Sequence, residues 1–271
     1  MEFSFLSDVG KKRELDEDSI VALKIATVHE SKVSEMGVFV LADGMGGHNA
    51  GEIASRIASR TVASIITKDL LTGNKRNKEL IIRTAIKEAN EILIRYAKER
   101  PECEGMGTTL TLALVEDGEI YVGNVGDSRA YLVNDEEIRQ ITKDHSLVQE
   151  MIDKGVITLE EARNHPQKNI ITRALGVSNS VEVDTFRLKL YEEDYLLLCC
   201  DGLSDVVEDK DIQKVILKSD SLSMACNKLV DLANSKGGPD NISVILIRDK
   251  KLPSRKKLLS QKTKLLEKSN E

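Results

Sequence analysis

Apolar positions recur along the chain with the period of a helix in some segments and of a strand in others. Six segments follow the helical period and predict helices with one buried face. These helices span residues 50–71, 78–100, 145–155, 158–166, 209–218 and 222–235. The fourth begins with Thr158 and Glu161 at the spacing of a capping box.

Apolar and β-branched runs between polar breaks predict strands. The predicted strands are residues 2–8, 19–28, 36–42, 109–115, 119–125, 129–133, 137–141, 181–190, 195–200 and 241–248. The dipeptide Asp117-Gly118 between two of them is a strong signal for a β-hairpin.

The order of these elements predicts an α+β fold. Strands, a helix pair, more strands, a second helix pair and a last strand fit a four-layer α-β-β-α sandwich. In this arrangement two mainly antiparallel sheets stack face to face, and a helix pair covers each outer face. No long linker interrupts residues 1–249, so we expect one domain followed by a tail, residues 250–271.

Charge and composition narrow the classes of function. The chain carries a net charge of −6, and residues 250–271 carry eight Lys/Arg and two Glu, so the body carries −12. An acidic body argues against nucleic acid as the main partner. The basic tail predicts a flexible or frayed helical segment, and docking onto an acidic membrane surface or an acidic partner is the alternative.

Four cysteines show no CxxC or zinc spacing. Cys199 and Cys200 lie in an apolar run and are expected to fill the core, which suits a reducing cytosol. No apolar stretch is long enough to span a membrane, and no signal-peptide pattern is present. We therefore expect a cytoplasmic protein without a transmembrane segment.

Acidic residues gather where strands end. Asp43-Gly44 and Asp201-Gly202 each follow an apolar run directly, and each alone fits a hairpin turn. More acids lie beside glycines or strand ends, at Asp8, Asp16, Glu17, Asp18, Asp127, Asp205 and Asp240. Carboxylates gathered without a counter-charge repel one another, and hard divalent cations such as Mg²⁺ or Mn²⁺ resolve that. Two such ions can clamp a phosphate and generate a hydroxide.

Eight segments resemble, in order, the PP2C (PPM) family of metal-dependent protein Ser/Thr phosphatases in its bacterial form. The segments are SDVGKKRELDEDS, VFVLADGMGGHNAGEIAS, GMGTTLTLALV, VGNVGDSRAYL, KDHSLVQEMIDKGVIT, HPQKNIITRALG, LLLCCDGLSDVV and GGPDNISVILI. Together they cover residues from about Ser7 to Arg248, nearly the whole chain except the tail.

The resemblance implies a ligand set for two core Mn²⁺ or Mg²⁺ ions. Asp43 would bridge them, and the backbone carbonyl of Gly44 would bind one. Asp201 and Asp240 would hold the other ion. The pair Glu17-Asp18 would support the first ion, largely through its waters.

The resemblance also implies an outer part of the site. Asp127 and Asp205 match ligands of a third metal, and Arg13 matches the arginine that receives the substrate phosphate, which suits its planar fork. A surface charge at Arg13, and a turn cap at Asp127, are the alternatives.

Two positions depart from the family pattern. Asp16 stands where the family often has Asn and adds a negative charge. Met45 stands where eukaryotic members carry a histidine proposed as general acid, and a thioether cannot donate a proton. The proton for the leaving oxygen then comes from a metal-bound water or another residue, with His48, His145 and His165 as candidates.

The implied reaction is direct hydrolysis of phosphoserine and phosphothreonine by a metal-bridging hydroxide. The implied partners are phosphoproteins and a cognate Hanks-type Ser/Thr kinase, and we expect a monomer. Residues of about 143–175 would form a flap that selects protein substrates. The alternatives are a catalytically inactive or regulatory PP2C-like module, a phosphatase of anti-sigma-factor antagonists, and an unrelated nucleotide- or Ca²⁺-binding protein. The last lacks a P-loop and an EF-hand loop.

Overall fold

The structure is a computed structural model that describes residues 1–46, 50–72, 77–255 and 257. Its strands are β1 (Glu2–Asp8), β2 (Asp18–His29), β3 (Lys32–Met45), β4 (Gly107–Thr108), β5 (Leu110–Glu116), β6 (Glu119–Val125), β7 (Arg129–Val133), β8 (Ile138–Gln140), β9 (Asp184–Lys189), β10 (Tyr195–Cys199) and β11 (Ile242–Arg248). Its helices are α1 (Ala50–Leu71), α2 (Lys78–Glu99), α3 (Leu147–Asp153), α4 (Leu159–Arg163), α5 (Asp201–Ser204), α6 (Asp209–Leu217) and α7 (Leu222–Ser235), with a 3₁₀ turn at Pro101–Cys103.

The strands form two antiparallel sheets. One has the order β1-β11-β10-β7-β8, and the other has the order β2-β3-β5-β6-β9, with β4 paired to β3. Strand β3 shows how the layers pack. Val38 and Val40 lie in the core beneath α1 and α2, whereas Phe39 and Leu41 point into the core between the sheets. Because side chains alternate across a strand, one sequence of apolar residues serves both cores.

A third core lies between the other sheet and the helices α6 and α7, where Leu197, Cys199 and Leu246 pack against Ile212 and Leu229. The four-layer α-β-β-α sandwich is therefore confirmed. Among the described residues, no helix combines the length and the apolar character needed to cross a membrane.

The hairpin at Asp117-Gly118 is confirmed. Both residues have positive φ, 49° and 77°, which the tight turn between β5 and β6 requires. The capping box of Thr158 and Glu161 is also present at the start of α4.

Some boundaries differ from the prediction. Strand β3 continues past Ala42 to Met45 because Gly44 and Met45 pair with the two-residue strand β4. The helix α5 follows β10 directly and starts at Asp201. Asp43-Gly44 and Asp201-Gly202 each fit a hairpin turn by sequence, and neither forms one.

The first residues of the predicted tail contact the body. Arg255 binds the buried Asp194 at 2.8 Å, and Lys251 binds Glu35 at 3.2 Å. Leu252 packs beside the core between the sheets. Residues 258–271 lie outside the described part of the chain.

Candidate metal centre and active site

The predicted acids meet at one end of the sandwich, between the two sheets. Asp18 on β2 is the direct cross-strand partner of Asp43 on β3. Asp43 follows Phe39 and Leu41 on the face toward the other sheet, and side chains of paired residues lie on the same face. Asp201 and Asp240 come from the opposite sheet, directly after β10 and just before β11.

Backbone hydrogen bonds fix the strand that carries Asp43. Its amide donates to Thr109 Oγ1 at 3.1 Å, and its carbonyl accepts from Thr109 N at 2.9 Å and from Thr108 Oγ1 at 2.8 Å. The amide of Gly44 donates to the carbonyl of Glu17 at 3.1 Å. The sequence did not point to Thr109, because a lone threonine in a strand is an ordinary β residue.

The two glycines of the Asp-Gly pairs permit close backbone approach. A Cβ on Gly44 would lie 2.2 Å from the carbonyl oxygen of Gly51. A Cβ on Gly202 would lie 1.9 Å from the carbonyl oxygen of Asn241. Any side chain at either position would therefore push apart the elements that carry the acids.

Asn241 joins the loop before β2 to the start of β11. Its Oδ1 accepts from Glu17 N at 2.9 Å, and its Nδ2 donates to the carbonyls of Val9 at 3.0 Å and Leu15 at 2.9 Å. Sequence reasoning missed this residue, and its position next to Asp240 was the only available signal.

The carboxyls are deeply placed and disturb one another. Burial, then the neighbouring carboxyls of Asp18 and Asp201, raise the pKa of Asp43 well above its usual range. Burial also raises the pKa of Asp127, with Asp201 as the next cause. The pKa values of Asp18 and Asp201 rise to about 7, mainly through burial and further through nearby carboxyls. Without a cation, the cluster therefore resists full ionisation at neutral pH.

Several of these oxygens are buried without a hydrogen-bond partner among the described residues. They are both carboxyl oxygens of Asp18 and one each of Asp127 and Asp201. Buried polar atoms are normally satisfied, so this set indicates a missing partner. Carboxyl oxygens of Asp18 and Asp43, with Cys200 Sγ, all lie within 4.8 Å of one another. The residues present thus fit bound divalent cations.

Arg13 lies over the acids. It donates to Asp240 Oδ2 at 2.8 Å and lies 3.9 Å from Glu17 Oε2, with its side chain 47% exposed. Its guanidinium therefore has a free side that faces solvent. Asp16 lies beside Asp18, accepting from its amide at 3.1 Å, and its charge adds to the rise in the pKa of Asp18.

The outer acids face the predicted flap. Asp127 is 8% exposed, next to the Asp201 carboxyl. Asp205 accepts from Lys168 Nζ at 2.8 Å, which ties the flap to the C-terminal end of α5. All nine predicted site residues therefore lie in or beside one cluster.

The two described histidine candidates for the general acid lie in different surroundings. His145 is buried, its Nδ1 accepts from Gly126 N at 3.0 Å, and its Nε2 lies 3.2 Å from Asp184. Burial lowers its pKa. His165 Nδ1 accepts from Gln167 N at 3.2 Å within the flap. His48 lies outside the described residues.

The fold and the cluster together define a sandwich protein with a cluster of carboxyls at one end that fits divalent cations. A model of the protein phosphatase 2C family matches residues 24–234. The serine/threonine phosphatase Stp of Listeria monocytogenes serovar 1/2a is 39% identical over 247 residues, covering 91% of this chain and 95% of that one. The chain belongs to the protein phosphatase 2C family.

Comparison with solved structures supports the same family assignment. Stp1, a serine/threonine phosphatase from Staphylococcus aureus, gives a TM-score of 0.80 at 38% identity, covering 92% of this chain and 94% of that one. The catalytic domain of the phosphatase PstP, in complex with 2 manganese ions, gives a TM-score of 0.75 at 34% identity, covering 90% of this chain and 96% of that one. The predicted family and the enzyme class, a protein serine/threonine phosphatase, are confirmed.

Proposed function

We propose that the chain hydrolyses phosphoserine and phosphothreonine in proteins with the help of bound Mn²⁺ or Mg²⁺. The observation that carries this proposal is a set of buried carboxyl oxygens, of Asp18, Asp127 and Asp201, that have no hydrogen-bond partner within the described part of the chain. Ionised carboxyls gathered in a buried site need a counter-charge. Hard divalent ions prefer such oxygen ligands, and the related PstP was solved with manganese.

In this proposal Asp43, the backbone carbonyl of Gly44, Asp201 and Asp240 would hold two ions. Asp43 would serve both ions, Gly44 would contribute to one, and Asp201 and Asp240 would hold the other. Glu17-Asp18 would support the first ion. The placement of Asp18 opposite Asp43 and the close backbone contact beside Gly44 support these assignments.

When bound, such ions supply a hydroxide nucleophile at neutral pH and neutralise charge on the phosphoryl oxygens. Arg13 binds the substrate phosphate through its planar fork. Its contact with Asp240 holds the guanidinium at the mouth of the cluster before substrate arrives. Asp43 and Asp201, fixed by the strand and by α5, orient the site for in-line attack.

Of the described histidine candidates, His145 does not suit the role of general acid. His145 Nδ1 accepts a hydrogen bond and so carries no proton, and Nε2 lies against Asp184. We therefore assign protonation of the leaving oxygen to water in the cleft. The thioether of Met45 cannot donate.

A third cation is proposed between Asp127 and Asp205. One Asp127 oxygen is buried and finds no hydrogen-bond partner among the residues that the structure describes, and Asp205 already attracts a cationic group, the ammonium of Lys168. Both acids open on the cleft under the flap.

The biological setting follows from the same family. We propose that the substrates are phosphoproteins, including a cognate bacterial Ser/Thr kinase and its targets, and that residues 1–249 act as a monomeric catalytic domain. The four buried, unbridged cysteines support a cytoplasmic location.

Metal removal tests the proposed function directly. We expect hydrolysis of p-nitrophenyl phosphate and of a phosphothreonine peptide to stop in EDTA and to return on addition of Mn²⁺ or Mg²⁺. Activity that persists in EDTA would refute the metal-dependent reaction. Cation binding without turnover on either substrate would favour an inactive binding module instead.

The flap is proposed to select protein substrates. It closes over a cleft of about 490 Å³ that is lined by Arg163 and Lys168 from the flap and by Asp127 and Asp201 from the site. We expect Arg163→Ala to reduce turnover of a phosphoprotein severalfold more than turnover of p-nitrophenyl phosphate, because only the larger substrate reaches the flap. Lys154→Ala, an exposed flap change outside that lining, is the matched control. Equal effects of Arg163→Ala on both substrates would contradict this role.

A further inference from the structure

A thiol lies at the floor of the carboxyl cluster. Cys200 is fully buried and points into the core between the sheets, whereas the adjacent Cys199 points to the opposite side of its sheet. Cys200 Sγ and one carboxyl oxygen each from Asp18 and Asp43 lie within 4.8 Å of one another. The chain therefore places one soft ligand atom among hard ones.

Two hydrogen bonds with the backbone hold the sulfur in a fixed position beside the carboxyls. The amide of Ser243 donates to Cys200 Sγ at 3.0 Å, and the thiol donates to the carbonyl of Asn241 at 3.3 Å. An N–H donor on a ligand atom orients it and stabilises the charge it gains on binding a metal. Without a cation, burial raises the pKa of the Cys200 thiol well above its usual value.

Asp18 provides an independent sign of a ligand at the same place. Both of its carboxyl oxygens are buried and make no hydrogen bond of normal geometry with any described residue. The side chains of Ser243 and Cys200 are the polar groups near enough to lower its pKa, against the larger rise caused by burial. A carboxyl in this state gains a partner when a cation binds between it and the sulfur.

We propose that Cys200, Asp18 and Asp43 form a binding site for thiophilic divalent cations such as Zn²⁺ and Cd²⁺. The ion binds the sulfur, and the thiol proton passes to solvent, so one proton is released for each ion bound. Thiolate selects soft ions, whereas Mn²⁺ and Mg²⁺ prefer the carboxylates alone. Thiophilic ions therefore compete for Asp18 and Asp43 and block the site.

Cadmium titration of the metal-free, reduced, full-length protein tests the site without any enzymatic assay. We expect the ultraviolet charge-transfer absorption of a cadmium–thiolate bond to grow until one ion is bound per chain. Cys200→Ser keeps a group of similar size with the same hydrogen-bonding partners, and should abolish the band. Cys199→Ala removes the neighbouring thiol on the other side of the sheet and should retain it.

A band that survives in folded Cys200→Ser, or that is lost in folded Cys199→Ala, would overturn the proposal. Circular dichroism establishes whether each variant folds. Zinc-edge X-ray absorption of the wild-type protein needs no variant and should show one sulfur ligand at about 2.3 Å. A shell of oxygen and nitrogen alone would also overturn it.

A second measurement connects the site to turnover and rests on the proposed function. The Zn²⁺ concentration that halves Mn²⁺-supported hydrolysis should rise about tenfold or more in Cys200→Ser, because a metal ligand is lost. An unchanged concentration would contradict blockage by this site. Failure of the proposed function would look different, since Mn²⁺ would then support no hydrolysis while the cadmium band would still form.

Discussion

The dipeptide Asp-Gly occurs three times in the chain and has two different structural roles. At Asp117-Gly118 it forms a hairpin turn in which both residues have positive φ and Asp117 is exposed. At Asp43-Gly44 it continues a strand, and at Asp201-Gly202 it opens a helix. Neither Gly44 nor Gly202 has positive φ.

The difference lies in what faces each glycine. A Cβ on Gly118 would meet the flexible side chain of Leu252 at 2.9 Å. A Cβ on Gly44 or Gly202 would meet a backbone carbonyl oxygen at 2.2 or 1.9 Å. The hairpin needs its glycine for conformation, whereas the site needs its glycines for space. The aspartates of these pairs also differ in their surroundings. Asp117 faces solvent, whereas Asp43 and Asp201 face one another.

The largest expected contrast is in turnover. Asp43→Asn should reduce metal-dependent hydrolysis by at least about a hundredfold, because in the proposed reaction it removes charge from the site that holds the cations and the reacting phosphate. The same change at the hairpin, Asp117→Asn, should leave turnover within about twofold, since Asn also accepts positive φ. Steady-state rates with Mn²⁺ on p-nitrophenyl phosphate measure both variants.

Thermal melting must show that Asp43→Asn is folded. Asn has nearly the same shape as Asp, so loss of activity without loss of structure is the expected result. Near-normal turnover by folded Asp43→Asn would contradict the proposed difference in function between Asp43 and Asp117.

The next contrast is in stability. Gly118→Ala forces an alanine into the left-handed region and should cost about 1–2 kcal/mol. Gly202→Ala should cost about 3 kcal/mol or more, because a methyl group cannot fit beside the Asn241 carbonyl without moving the backbone. Urea unfolding of the metal-free proteins gives both values.

Gly202→Ala should also weaken Mn²⁺ binding, since it separates Asp201 from Asp240, whereas Gly118→Ala should not. Equal losses of stability for the two variants would show that the glycines are needed for the same reason. That outcome would contradict the inferred structural difference between the hairpin turn and the site.

Some of the secondary-structure elements can be predicted from the sequence, and others cannot. The helices α1 and α2 and the β5–β6 hairpin were predicted closely, because helical periodicity and turn chemistry are local signals. The strand β4 was not predicted, since two residues carry no periodicity. Its pairing with Gly44 and Met45 is the reason that β3 extends beyond the predicted end.

The residues of the candidate site also divide into those that local sequence signals indicate and those that they do not. The sequence indicated the acids because several of them follow apolar strands. It did not indicate Asn241, which joins Val9, Leu15 and Glu17, because its contacts are distant in sequence. Local turn preference also could not tell Asp43-Gly44 from Asp117-Gly118, since the facing carbonyl of Gly51 is set by tertiary packing.

The smallest expected contrast is in the pH dependence of stability. In the metal-free protein the pKa values of Asp18 and Asp201 are about 7, above their ordinary value of 3.8. Between these values the folded state holds more protons than the unfolded state. These groups therefore favour folding fully at low pH, and their contribution falls as pH rises from about 4 through about 7. Cations favour the ionised carboxyls and should oppose the fall.

Melting temperatures across this range, in EDTA and in Mn²⁺, measure the effect. We expect Mn²⁺ to raise the melting temperature more at neutral than at acid pH. Asp201→Asn removes one titrating carboxyl, so its metal-free stability should fall less steeply with pH than that of the wild type. Asp117→Asn should keep the wild-type slope, because its carboxyl lies on the exposed turn. The same slope for Asp201→Asn and Asp117→Asn would show that the buried acids are not the source of the pH dependence of stability. It would contradict the inferred electrostatic difference between the site and the hairpin.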